Sequence, residues 1–447
     1  MNILKSKSVW VLTTVVLALG YMASCTKNDQ YIGPKAKVSA TTLISKKVAT
    51  APTMDGVVDA SWDAAAKIEV TPQVPDAGNG MFTGYIGETY PTTLRSMYDD
   101  QYIYFLAEWN DASKSEGVAT WYYKPGVAYP ATGWAQESSS GKTFDANGTV
   151  TRDCNSEDKF AMLWNIDNST SKFTAQTCYS SCHIFTPYMD YSKTPAVIKS
   201  NAGSGNHYTN GANEKIDMWW CHMNKDLVYQ QMDDNYQDWA GGPGVTNLTG
   251  GSGNGRHVDG ISVASTSTTW PNGPVYGVSP AQGSTTNRQA LKLNDTGATV
   301  NVPMWIIPNA TNYYYIKTSD TLPGGAARKI TNVSLTGVLT YAGGTIDPAS
   351  SAVDYAQTPG LKGNGAKCFP SYIVAPLIGE RADISCVGAY TGSAWKLEFK
   401  RKLKTGDILK QDIDFSSLQD QPFGIAVWNN SNYQHGIKPN LLLHFEK

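Results

Sequence analysis

Apolar and polar side chains alternate at a period of two in a series of short runs that begins near residue 92 and continues to the C-terminal end. Thr92-Thr93-Leu94-Arg95-Ser96-Met97-Tyr98 and Tyr102-Ile103-Tyr104-Phe105-Leu106-Ala107-Glu108-Trp109 flank Asp99-Asp100-Gln101, which predicts a β-hairpin. Phe160 to Ile166 predicts a further apolar strand, and weaker strand signals lie at Pro303 to Ile307 and Tyr313 to Ile316. Ala394 to Leu403, Phe423 to Trp428 and Leu441 to Phe445 close the series, each with one face to bury and one to wet. Helical patterns are few, and no fixed repeat is visible. The expectation is an all-β chain: a β-sandwich, immunoglobulin-like or jelly-roll-like, with long loop insertions. Gly241 to Gly255 is glycine-rich and reads as a surface loop. Cys178 to Met189 is irregular, as a ligand-holding loop would be.

The N-terminal end follows a different pattern. Lys5 and Lys7 precede a short apolar core, Val9 to Gly20, and then Met22-Ala23-Ser24-Cys25. About a dozen apolar residues make a signal peptide rather than a membrane span. Small residues before Cys25 resemble a lipobox, so residues 1–24 are expected to be a lipoprotein signal peptide and Cys25 the lipidated residue. Residues 25–48 read as a polar tether and residues 49–447 as one domain. The chain is therefore expected to be exported and held by its lipid on the periplasmic or cell-surface side of an outer membrane. A formal charge of −2 and only 17% charged residues argue against a nucleic-acid partner.

Six cysteines remain beyond Cys25: Cys154, Cys178, Cys182, Cys221, Cys368 and Cys386. An exported chain permits disulfides, and Cys368 with Cys386, which flank the strand-like Tyr372 to Leu377, is the expected structural bridge. Cys178-Tyr179-Ser180-Ser181-Cys182-His183 carries the strongest chemical signal. Two thiols ending in Cys-His look like a covalent haem-attachment site, C-x-x-C-H, with one extra residue between the cysteines. The bland alternative is a small Cys178–Cys182 disulfide loop. A zinc site drawn from Cys178, Cys182, His183 and Cys221-His222 is a weaker rival, because an oxidising compartment works against free thiolates.

Several blocks together resemble the haem-binding domain of the ethylbenzene-dehydrogenase gamma-subunit type, found as the haem subunit of molybdenum enzymes of the DMSO-reductase group and in stand-alone cytochromes. These blocks are Pro52-Thr53-Met54-Asp55-Gly56 with Trp62, the hairpin around Asp99-Asp100, Asp158-Lys159-Phe160-Ala161-Met162, the Cys-His loop, Asp217-Met218-Trp219-Trp220, and the strands at Trp395 to Leu403 and Ala426 to Trp428. The opening block and hairpin are also similar to family-nine carbohydrate-binding modules, which speaks to fold rather than function. In the b-type members a methionine and a lysine ligate the iron. The resemblance places Met162 at the methionine and His222 where the lysine is expected, with Lys225 close by.

The resulting expectation is a lipid-anchored, cytochrome-like electron-transfer protein. Its haem is c-type through Cys178 and Cys182, with b-type haem as the alternative. The iron takes two of three ligands: His183, Met162 and His222. The chain is expected to be an electron-transfer subunit or stand-alone cytochrome rather than an enzyme. Its partner would be a redox protein, with a molybdenum oxidoreductase implied by the resemblance. The competing reading is a carbohydrate-binding lipoprotein that stacks exposed tryptophans on sugars. His207, His257, His435 and His444 lie in loop or terminal contexts and are given no role.

Overall fold

A computed structural model describes residues 40–447 except 77–81, 125, 127–131, 138–142, 145, 148–149, 153–155, 183–187, 191–196, 200–206, 212, 240–254, 260–283, 294–295, 309, 311–314 and 349–368. Cys25, Cys154, His183 and Cys368 therefore lie outside the described residues. The chain is nearly all β, and residues 40–447 cluster as one compact unit. Among the described residues no helix is long and apolar enough to cross a membrane.

Twelve strands form the principal sheet. In chain order they are β1 (Thr42–Lys47), β2 (Ile68–Val70), β3 (Thr92–Tyr98), β4 (Tyr102–Asn110), β5 (Lys159–Asn165) and β6 (Ile216–His222). They continue with β7 (Gln231–Gln237), β8 (Arg256–Val258), β9 (Ile384–Tyr390), β10 (Ala394–Lys402), β11 (Gln421–Trp428) and β12 (Gly436–Glu446). Around the sheet the order is β1-β12-β11-β5-β6-β7-β9-β10-β4-β3, and β1 also pairs with β3. The two edges of the expected sandwich thus meet, and the sheet closes like a barrel. Strand β2 extends from β3 and strand β8 from β7.

The hairpin forms where expected. Asp99 Oδ1 accepts the Gln101 and Tyr102 backbone N–H groups at 2.7 Å each, and its Oδ2 accepts the Tyr104 hydroxyl at 2.7 Å. One aspartate therefore satisfies the donors that a tight turn leaves unpaired. The opening block is fixed by a buried acid: Glu398 on β10 accepts the Gly56 N–H and the Trp62 indole N–H, each at 2.8 Å. Gly56 has a φ of +82°, a backbone state that favours glycine.

Two strands differ from the sequence expectation. Thr42–Lys47 had been assigned to the tether, yet it pairs in parallel with both β12 and β3 and buries Leu43 in the core. Its flanking lysines and short length hide it as polar tether. Strand β12 begins at Gly436 rather than Leu441, because a bulge opposite Phe423–Ile425 breaks the alternation. Asn440 sits in that bulge with a φ of +61°.

Inward-facing side chains fill the barrel with aromatic rings. Trp164 stacks on Phe423 (4.9 Å, 24°) and Phe105 on Phe399 (5.3 Å, 16°), with Trp219 against Trp164 at 5.3 Å. A second apolar cluster around Trp121, Trp134, Val302 and Leu339 serves the insertion between residues 284 and 348, where Trp305–Ile306, Arg328–Val333, Leu339–Tyr341 and Gly344–Ile346 form a small sheet.

Candidate cofactor site

The outer faces of β5, β6 and β11 make one wall of a cavity of about 70 Å³, smaller than the roughly 300–1,000 Å³ usual for a bound small molecule. Strand pairing sets the wall in rows. Trp220, Ala161 and Ala426 lie side by side across the three strands, and Met218, Leu163 and Gly424 form the next row. The small residues at Ala161, Ala426 and Gly424 leave a flat apolar floor. Trp220 and Trp428 stand at its edge with their rings stacked at 5.9 Å and 29°.

The Cys178–Cys182 loop covers this floor, and the sequence explains why it docks there. A Cβ on Gly424 would fall 2.5 Å from Thr177 Cγ2, so only glycine admits the loop at its present depth. Thr177 Oγ1 also accepts the Asn440 N–H at 2.8 Å, using the donor that the β12 bulge turns outward. Past Thr177 the chain makes one helical turn, in which the Cys182 N–H donates to the Cys178 carbonyl at 2.8 Å. Residues four apart on a turn share a face, so both cysteines line the cavity. They are thiols, not a disulfide. Burial, reinforced by the neighbouring Cys182, pushes the Cys178 thiol up to about 12.

Two histidines that the sequence reading passed over also line the cavity. His207 pairs as a β-bridge with Cys182. His435 stacks on Trp428 at 4.3 Å and 25°, and burial lowers its pKa to about 4. Its ring is therefore neutral at pH 7, with a nitrogen lone pair to offer. Met218 is the cavity's methionine, with the Gln237 amide N–H donating to its sulfur at 3.4 Å. The Arg256 guanidinium lies over Trp220 at 4.5 Å and brings a positive charge to the rim.

The expected ligands fare differently. Met162 is fully buried on the inner face of β5, in the barrel core beside Phe160 and Trp164. It is on the opposite side of the sheet from the cavity, which Ala161 and Leu163 line. His222 is on the correct face but lies behind Trp220, ring to ring at 4.3 Å. Its Nδ1 is 3.0 Å from Asp226 Oδ2 and its backbone N–H donates to the same oxygen at 2.7 Å. Burial, with the Lys225, Lys159, Arg256 and Arg381 charges, holds it well below the usual histidine range. It is a neutral, tied residue one shell away from the cavity. His183 follows Cys182 directly and lies outside the described residues.

The other two described cysteines, Cys221 and Cys386, stand apart from this site. Cys221 points into the barrel, where its Sγ is 3.9 Å from Cys386 Sγ. Cys386 thus faces Cys221, and its expected partner Cys368 lies outside the described residues. Cys221 and His222 occupy opposite faces of β6, so among the described residues they do not both face Cys178 and Cys182.

The pattern of the ethylbenzene dehydrogenase family matches residues 59–439. The chain belongs to this family. The ethylbenzene-dehydrogenase-type resemblance, whose blocks Asp158 to Met162 and Asp217 to Trp220 lie within the match, is thereby established at the level of the family. No curated protein matches the chain. Among solved structures, a family-nine carbohydrate-binding module from Caldicellulosiruptor kristjanssonii in complex with glucose overlaps 91% of this chain and 95% of its own, at 8% identity and a TM-score of 0.24.

Two thiols, two imidazoles and a thioether lie at the boundary of this apolar cavity, donor types of the kind that attach and ligate haem.

Proposed function

We propose that this protein is a haem-carrying electron-transfer member of the family, with the cofactor between the β5–β6–β11 wall and the Cys178–Cys182 loop. The observation that carries the reading is the convergence of Cys178, Cys182, His207, His435 and Met218 on one apolar cavity. Haem, when bound, supplies one-electron exchange at its iron. Cys178 and Cys182 are the residues for thioether attachment, so c-type haem is favoured over b-type. His207, His435 and Met218, with His183 next in sequence to Cys182, would be the residues to hold the iron. Arg256 offers a positive charge for a carboxylate at the rim, and the tryptophans limit water. The chain passes electrons to a redox partner, for which the family points to a molybdenum oxidoreductase, and is not itself the catalyst. It is exported and held at a membrane by lipid on Cys25. Among the described residues no tryptophan is fully exposed, which weighs against the sugar-binding alternative there.

The test is the visible spectrum of full-length protein made with ample haem and the attachment machinery. A Soret band that survives acid–acetone extraction, and becomes extractable in a Cys178→Ala/Cys182→Ala variant, is the expected result. A folded protein with no Soret band overturns the reading. Cys25→Ser should release the chain from membranes, and unchanged membrane association counts against the anchor.

A further inference from the structure

Strand β7 joins β9 through only two residue pairs, Gln231 with Ser385 and Met232 with Ile384. Other neighbours around the barrel share between three described pairs, at β1–β3, and nine, at β10–β4. This thin seam also closes a long excursion of the chain, since residues 238–383 lie between the two strands. Two cysteines stand at its end. Cys386 directly follows Ser385, and its N–H donates to the Gln230 carbonyl at 2.9 Å. Cys221 directly follows Trp220, the last β6 residue paired with β7. The turn through Leu227–Tyr229 and Gln230, whose φ is +56°, leads into β7 here.

Both thiols point into the barrel, and their sulfurs are 3.9 Å apart. Each residue is 0% exposed, and both belong to the main core. Among the described residues no other cysteine competes for either, because Cys178 and Cys182 line the cavity on the outer side of the sheet. An S–S bond is about 2.05 Å long, so the sulfurs need to close by roughly 2 Å. Rotation about Cα–Cβ supplies displacements of that size. The two positions are 165 apart in the chain. A bond closing so long a loop removes more freedom from the unfolded chain than a local one.

We propose that Cys221 and Cys386 are joined by a disulfide in the folded protein, fastening β6 to β9 across the β7 seam. The bond forms during folding by exchange with a disulfide oxidant such as oxidised glutathione. Two S–H bonds break and one S–S bond forms, while the two electrons and two protons convert the oxidant's disulfide into two thiols. Timing matters, because burial, followed by the neighbouring Cys386, raises the Cys221 thiol well above its usual range. The attacking thiolate is therefore scarce once the barrel has shut. The same burial shields the finished bond from reductants. Trp220 and His222 flank Cys221 on the outer face of β6, so the bond holds the strand that carries part of the cavity wall.

The test uses the full-length chain synthesised in a cell-free system buffered with oxidised and reduced glutathione, which depends neither on export nor on pigment. Thiols of the soluble, folded fraction are alkylated in denaturant, and peptides are mapped without reductant. The expected result is a pair of peptides linked through Cys221 and Cys386 that separates on reduction. Reductant should also lower the melting midpoint of the parent by about 5 °C more than that of a Cys221→Ala/Cys386→Ala variant. Alkylated Cys221 and Cys386 in folded protein made with excess oxidised glutathione overturn the proposal. Cys386 linked to Cys368, or Cys221 linked to Cys154, overturns it equally. A parent and double variant that lose the same amount on reduction show that the bond fastens nothing. If the double variant does not fold, the peptide map of the parent decides alone. These readouts involve neither the cavity cysteines nor lipid on Cys25, so their outcome is separable from the haem and anchor readings.

Discussion

The two faces of β6 differ more than any two distant parts of the molecule. Met218, Trp220 and His222 point outward to the cavity and its rim. Asp217, Trp219 and Cys221 point inward, to an acidic cluster and the aromatic core. Seven consecutive residues thus belong alternately to a binding wall and to a packed interior. A motif read as a contiguous block mixes the two. The phase of the strand decides which residues can meet a ligand.

The adjacent tryptophans give the sharpest test of that division. Trp219 is fully buried against Phe105, Phe399 and Phe415, with the Arg401 guanidinium at 4.7 Å from its ring. Trp219→Ala should cost about 3–5 kcal/mol by denaturant titration. Trp220→Ala should cost less and instead alter the pigment's absorption. Equal stability losses in the two variants would break the contrast.

Methionines offer the next comparison. Met162→Ala should cost about 2–5 kcal/mol as a core cavity while the spectrum of folded protein stays unchanged. Met218→Ala should leave stability closer to the parent and change the pigment's spectrum or midpoint potential. A folded Met162→Ala protein with a changed spin state would return Met162 to the ligand set.

A smaller effect is expected at the floor. Gly424→Ala places a carbon 2.5 Å from Thr177 Cγ2, and should cost about 1–3 kcal/mol while loosening the cysteine loop. Faster alkylation of Cys178 in that variant would report the loosening, and an unchanged rate would show that the loop does not rest on Gly424. Smallest is Asn440→Ala, which removes the 3.2 Å contact between Asn440 Oδ1 and Thr177 Oγ1. A loss of about 0.5–1.5 kcal/mol in thermal unfolding is expected.

The strand content was legible because Tyr102 to Trp109 is a continuous β-branched and aromatic run and Trp395 to Leu403 largely alternates. The closure of the sheet was not, since it depends on Thr42–Lys47 pairing with strands far away in the chain. The loop chemistry was visible in the spacing of Cys178 and Cys182. The core phase of Met162 was legible in Phe160 and Trp164, two residues to either side, which mark its face as apolar. Met218 was recoverable in the same way: once Trp219 is assigned to the core, its neighbour must face out. His207 and His435 carry no local signal. They reach the cavity through the β-bridge to Cys182 and the stack on Trp428, contacts that no spacing rule encodes.

The closing strand has a mechanical consequence. Thr42–Lys47 runs parallel to both neighbours, in register from Thr42 against Leu442 to Lys46 against Glu446, and from Ser45 against Ser96 to Lys47 against Tyr98. A tug arriving through residue 40 is directed along this strand. It loads the evenly spaced bonds on both sides together rather than peeling them one by one. A chain towed from its leading end would resist that force in shear, at the seam where the barrel is shut.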